Sequence, residues 1–253
     1  MNISADFVPV EMVTARPVGQ AGLILLADHA ANTVPSEIGT LGLDEADMGR
    51  HIAFDVGIRD VTLGLAERMG AAAVLSTWSR LVIDPNRGED DPTLIMKLND
   101  GSIIPGNRHV GTVETERRLN AYHRPYHDRI TATIDETIAR GLAPVLVSMH
   151  SFTPAFRGRP PRPWHVGLLW DRDDRMVMPL MDRLRAGGDL CVGDNEPYSG
   201  QLRGDCMYRH GTARGIPHVL IEIRNDLIDT AEGQRAWADR LAPMIAGAMA
   251  DAL

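Results

Sequence analysis

Apolar residues gather into short runs along this chain, and three of those runs lead into a His or a Glu. Gly22 to Ala27 is followed by Asp28-His29-Ala30-Ala31-Asn32. Pro144 to Met149 is followed by His150, and Pro217 to Ile223 carries Val219-Leu220-Ile221 into Glu222, with Arg224, Asn225 and Asp226 beyond. Runs of this kind, bounded by turn-forming residues, predict strands buried on both faces. Ligands of α/β proteins collect at the carboxyl ends of such strands, so polar groups delivered there point to one shared site. Ala71 to Leu75 and Val166 to Trp170 predict two more strands. Leu81 to Ile83 is a further short apolar run, and Val192 to Asp194 opens a strand or loop.

Between these runs the pattern is helical. Asp44 to Met69 reads as mostly helix, with Asp44 as N-cap and Gly70 as stop, while Gly57 and Gly64 leave room for a break near His51 and Asp55. Thr115 to Arg140 predicts a long helix interrupted at Pro125 and ended by Gly141. Its His123 and His127 lie one turn apart, but Arg124 and Arg129 flank them, so a structural role is expected for the pair. Arg175 to Ala186 predicts a short helix, and a last helix runs from a cap at Asp229 or Thr230 towards Leu253. Met1 to Pro17 is an irregular arm. Asp90 to Gly111 predicts an extended surface loop, either one able to cover a pocket or an ordinary long insertion, and Phe152 to Pro163 is a basic loop containing Arg157, Arg159 and Arg162. Strand and helix alternate through most of the chain, which predicts a single three-layer α/β domain over residues 1–253 with a central mixed or mainly parallel sheet.

Composition narrows the function classes. A formal net charge of −8 argues against nucleic acid as a partner, because phosphate binding needs a basic field. Cys191 and Cys206 are too few and too far apart for a disulfide framework or a Cys-x-x-Cys motif. No apolar run approaches the roughly 20 residues that span a bilayer, and the N-terminus lacks the pattern of a secretory signal. A cytoplasmic protein without a membrane partner is expected. Gly-rich phosphate loops are absent too, which leaves nucleotide binding unsupported.

The chemistry-bearing residues fit a different class. Two histidines from separate strands, a further oxygen donor and a nearby glutamate are the parts of a mononuclear hydrolytic zinc site, in which glutamate serves as base without being a ligand. A serine hydrolase is disfavoured, since Met149-His150-Ser151-Phe152 is not a Gly-x-Ser-x-Gly elbow.

Five separated segments resemble the N-formylglutamate amidohydrolase family, which is related in fold to zinc carboxypeptidases. They are Asp28-His29-Ala30-Ala31-Asn32, His51 to Gly57, Arg80 to Arg87, Ser148 to Phe152, and Ile221 to Asp226. The resemblance implies one zinc ion held by His29 and His150, with Glu222 as general base. Asn32 stands where the carboxypeptidase relatives carry a glutamate ligand. A neutral amide is a weaker donor than a carboxylate, and Asp28 or Asp55 can compensate. The resemblance also implies that Asn86-Arg87 binds a substrate carboxylate and that Arg80 stabilises negative charge developing on the scissile carbonyl. Arg224 is a further cation for the pocket, and Tyr198 and His210 are additional candidates. The implied reaction is hydrolysis of N-formyl-L-glutamate to L-glutamate and formate in histidine degradation. The alternatives are a deacylase for another N-acyl amino acid or small peptide, or a metal-poor protein that binds acidic metabolites without turnover.

Overall fold

A computed structural model describes residues 7–14 and 22–253; the rest of the expected N-terminal arm lies outside the described residues. The sheet strands are β1 (Val10–Val13), β2 (Leu23–Ala27), β3 (Ala72–Ser76), β6 (Val145–Phe152), β7 (Val166–Leu169), β8 (Val192–Asp194) and β9 (His218–Arg224). A separate two-stranded hairpin is formed by β4 (Leu98–Asn99) and β5 (Ser102–Ile103). The helices are α1 (Glu45–Met48), α2 (Ile58–Met69), α3 (Thr112–Arg118), α4 (Arg124–Ala139), α5 (Val177–Ala186), α6 (Cys206–His210) and α7 (Ala231–Ala252).

The main sheet has seven strands in the order β1-β3-β2-β6-β9-β7-β8. Its centre, β3-β2-β6-β9, is parallel, while β1 and β7 pair antiparallel with their inner neighbours and β8 runs parallel to β7. This is the expected mixed sheet. Both faces are covered, which explains the nearly continuous apolar reading of β2 and β6. On one face Val145, Val147, Met149, Val219 and Ile221 pack with α2, α5 and α7 through Leu65, Leu180 and Leu241. On the other, Ile24, Leu26, Val74 and Leu146 pack with Tyr126, Ile130 and Ile134 of α4. Alternation along β6 and β9 turns His150 and Glu222 towards this second side, where they stand directly opposite one another in the strand register.

Several elements depart from the sequence expectation for local reasons. Asp44–Met69 is two helices: Asp44 caps α1 by accepting from the Asp47 amide, and a turn through Asp55 separates it from α2. Gly57 begins α2 at φ +79°, and a Cβ there would lie 2.0 Å from the Ile228 carbonyl oxygen, so only glycine fits this turn. Leu81 to Ile83 is a buried turn and not a strand. Trp78 donates its indole N–H to the Ile83 carbonyl at 2.8 Å, and Arg118 donates to the Val82 carbonyl at 2.7 Å, which satisfies the backbone without sheet pairing. The long helix divides into α3, a wider π-turn at Leu119–His123, and α4, with Pro125 directly after the π-turn that interrupts the regular hydrogen-bond ladder. Thr230, rather than Asp229, caps α7 by accepting from the Gly233 amide at 3.1 Å. No described helix is long and apolar enough to cross a membrane.

Candidate active site

The chain leaves β2 through Asp28 and His29, both buried. His29 Nε2 lies 2.7 Å from Asp84 Oδ1, and its Nδ1 lies 3.4 Å from Asp55 Oδ2. His150 has the matching arrangement. Its Nε2 lies 3.1 Å from Asp28 Oδ2 and its Nδ1 2.9 Å from the same Asp55 oxygen. Asp55 is fixed in turn by the Ser151 amide, which donates to Oδ2 at 3.2 Å, and by its own N–H, which donates to the His29 carbonyl at 3.0 Å. Both rings therefore converge on one carboxylate through Nδ1, while each Nε2 is held by another aspartate.

That donor set fits a divalent cation. One ligand atom from each of His29, Asp55 and His150 can be chosen so that all lie within 4.8 Å of one another, and all three residues are buried. A His-carboxylate-His set suits zinc, and a carboxylate on the outer ring nitrogen orients a ligating imidazole and raises its basicity. Electrostatics favour a cation too. Burial alone pushes the pKa values of Asp28, Asp55 and Asp84 up, but the neighbouring histidines, and Arg80 at Asp84, outweigh it and hold all three carboxyls below their ordinary range. Burial likewise opposes charge on His150, yet hydrogen bonds and the charges of Asp28 and Asp55 raise its pKa well above the usual histidine value.

The expected ligand Asn32 is not part of this cluster. Its side chain is exposed and donates to the Met48 carbonyl at 2.9 Å. The chain turns away towards Val34-Pro35 after Ala31, so His-x-x-Asn does not bring both side chains to one point. Asp55, not Asn32, groups with the two histidines.

Glu222 faces the same cavity from β9. Its Oε2 is buried without a hydrogen-bond partner, and burial raises its pKa above the ordinary carboxylate range. The cavity measures about 270 Å3 and is lined by His29, Asp55, His150, Glu222, Arg80, Asn86, Arg87 and Tyr198, among others. Arg80 donates to Asp84 Oδ2 from Nε and Nη2 at 3.1 and 2.7 Å, and its Nη1 lies 3.6 Å from Asp55 Oδ1. The Asn86 amide donates to Asp84 Oδ1 at 2.9 Å, which ties the Asn86-Arg87 segment to the cluster.

A model of the N-formylglutamate amidohydrolase family matches residues 21–229. The chain belongs to that family. Among solved structures, a gene product of Agrobacterium tumefaciens is 33% identical, with a TM-score of 0.91 over 97% of this chain and 96% of that one. An N-formylglutamate amidohydrolase from Ralstonia eutropha JMP134 is 23% identical, with a TM-score of 0.75 over 97% and 98% of the two chains, and shares the fold. No curated protein matches the chain.

Within this family member the remaining candidates divide. Tyr198 reaches the cavity because the Glu196-Pro197 segment lies directly over Gly167: a Cβ at Gly167, the register partner of Glu222, would come within 1.9 Å of the Glu196 carbonyl oxygen. Arg224 does not line the cavity. It pairs with Asp226 at 2.8 Å beyond the end of β9. His210 also lies outside the cavity lining, 2.8 Å from His127 Nδ1. The expected structural role of His123 and His127 has a definite form: their Nε2 atoms lie 2.9 and 3.0 Å from the carbonyl oxygens of Arg87 and Pro85, bracketing the Asn86-Arg87 segment from behind. The Asp90 to Gly111 stretch supplies Met96 and Asn99 to the cavity wall. Sequence reading did not pick out Asp84 as a partner of His29, nor the buried Ser148 and Tyr126 whose hydroxyls donate to Asp28 at 3.3 and 2.7 Å. A signal was present: an aspartate directly precedes His29, and Arg80 and Asp84 stand four residues apart.

Proposed function

We propose that this chain hydrolyses N-formyl-L-glutamate to L-glutamate and formate, with one divalent metal ion, zinc, held by His29, Asp55 and His150. The observation that carries this reading is a buried glutamate with an unpaired oxygen facing a cavity that also contains a His-Asp-His donor set. When bound, such an ion supplies Lewis acidity that polarises the scissile carbonyl and makes water easier to deprotonate. The chain's own groups do the rest. Glu222 Oε2 takes a proton from the attacking water and returns it to the leaving nitrogen, a role suited to a carboxylate whose pKa burial has raised towards neutrality. Arg80, anchored on Asp84, offers its guanidinium to the carbonyl oxygen as negative charge develops there. Asn86 and Arg87 hold a substrate carboxylate.

Cavity size supports a small substrate. At about 270 Å3 it falls just below the roughly 300–1,000 Å3 usual for small-molecule sites, which favours an N-acyl amino acid over a peptide. Asp55 beside both histidines supports this reading over the metal-poor binding protein that a neutral Asn32 suggested. The family resemblance further implies a place in histidine degradation.

Arg87 has no carboxylate partner among the described residues; its Nη1 donates to the Asn86 carbonyl at 2.7 Å and its Nε to Thr93 Oγ1 at 3.2 Å. Arg87→Ala is expected to lower kcat/KM for N-formyl-L-glutamate by roughly 2–5 kcal/mol, the range for removing one partner of a buried charge pair. Arg87→Lys should restore only part of the loss, since an ammonium cannot form the bidentate fork. Steady-state kinetics of the folded variants decide the matter, and unchanged constants in Arg87→Ala would remove this residue from the site.

A further inference from the structure

Arg162 belongs to the Pro-rich loop after β6, between the segments that carry the resemblance. Its guanidinium carbon lies 3.8 Å from the ring centroid of Phe156, 5.1 Å from that of Tyr198 and 5.6 Å from that of Phe152. All three rings line the active-site cavity, and Arg162 packs against them from just outside that lining. Stacking uses the faces of the guanidinium and leaves its edge, where the N–H donors lie, for hydrogen bonding. One edge nitrogen, Nη1, donates to the Tyr198 hydroxyl at 2.9 Å. The other, Nη2, is buried without any hydrogen-bond partner. No carboxylate of the described residues pairs with this cation.

The loop holds the group in place. The Arg162 amide donates to the Pro154 carbonyl at 2.7 Å, closing the loop on itself, and the Arg157 amide donates to Asp100 Oδ1 at 3.1 Å, tying it to the β4-β5 hairpin. A guanidinium packed on aromatic rings, oriented by a hydroxyl and left with a buried donor unsatisfied is a built receptor for a planar anion.

We infer that Arg162, oriented by Tyr198, forms a second carboxylate subsite of the active-site cavity and receives the side-chain carboxylate of an acidic N-acyl amino acid. This rests on the amidohydrolase reading above and adds the origin of its preference for a dicarboxylate. Two carboxylates need two cations, and their placement divides the work. The α-carboxylate adjoins the scissile nitrogen, so its cation must stand close to the metal cluster; Arg87 does, through Asn86 and Asp84. Arg162 touches no member of the cluster. Its contacts are the aromatic residues of the cavity wall, against which the apolar methylenes of a glutamate-length side chain can pack.

Two measurements test the subsite separately from turnover. Binding of glutarate and of butyrate is followed by calorimetry on wild-type protein and on Arg162→Gln, which keeps a planar polar side chain over the rings. Glutarate affinity should fall at least about 10-fold in the variant while butyrate affinity changes less than about 2-fold, as expected for loss of one charge-assisted pair. In the second measurement kcat/KM is compared for N-formyl-L-glutamate and N-formyl-L-glutamine. Wild type should prefer the glutamate derivative by roughly 30-fold or more, through KM, and Arg162→Gln should abolish that preference while retaining turnover of the glutamine derivative. Tyr198→Phe should weaken the preference in the same direction. Equal losses for both acids or both substrates, no glutarate binding to wild type, or an unchanged preference in a folded Arg162→Gln protein would each overturn the subsite. If glutarate binding depends on Arg162 but no N-formyl amino acid is hydrolysed, the subsite stands and the amidohydrolase reading fails.

Discussion

Glu222→Gln is expected to leave the fold and the metal content unchanged and to cut kcat for N-formyl-L-glutamate by about 10²–10⁴, the usual contribution of a positioned acid-base group. The substitution is nearly isosteric, and Glu222 donates or accepts no hydrogen bond through Oε2, so no structural contact of that oxygen is lost. Removing a carboxylate from a buried position also removes a desolvation penalty, so the variant should be no less stable than wild type. A loss confined to kcat, with KM little changed, is the signature of a group acting mainly in the transition state. A folded, metal-loaded Glu222→Gln protein with near wild-type kcat would reassign the base.

Asp55→Asn should show the second large effect, on metal affinity. Asp55 Oδ2 is the atom on which both histidines converge, and the amide that replaces it carries no charge. Replacing a partner that merely orients a ligand typically costs 10–100-fold in affinity, and loss of a charged ligand should exceed that. Asn32→Ala, by contrast, should leave metal affinity within about 3-fold, because its side chain bonds the Met48 carbonyl at the surface. Competition with a chromophoric chelator measures both variants. Equal affinities for wild type and Asp55→Asn, or a large loss in Asn32→Ala, would restore Asn32 as the ligand.

The contrast between these two residues shows which parts of the site a sequence displays. His29, His150 and Glu222 were legible because a buried strand has one geometry, and whatever follows an apolar run must emerge at the sheet's carboxyl edge. Register then places His150 and Glu222 side by side without further information. Asp55 was harder to assign. It sits in a turn inside a stretch whose composition is helical, and the break depends on Gly57 meeting the Ile228 carbonyl, a contact between segments far apart in the chain. Arg224 shares the strand parity of Glu222, but two residues further on β9 has passed the cavity and Asp226 captures the guanidinium. Leu81 to Ile83 has strand composition and becomes a turn because Trp78 and Arg118 satisfy its carbonyls. Strand β1 was missed because Glu11 interrupts its apolar pattern, and its half-buried residues pair only at the sheet edge. Arg162 lies in a proline-rich loop with no periodicity, and its aromatic surroundings arise only when β6, its following loop and the Tyr198 segment come together.

Formate release from N-formyl-L-glutamate by protein of defined metal content is the most direct test of metal-assisted hydrolysis by the His29-Asp55-His150 cluster. Protein stripped by a strong chelator should release no formate above background, and one equivalent of zinc per chain should restore activity in wild type but not in His150→Ala. Undiminished formate release from metal-free protein, or none from fully zinc-loaded wild type, would contradict it.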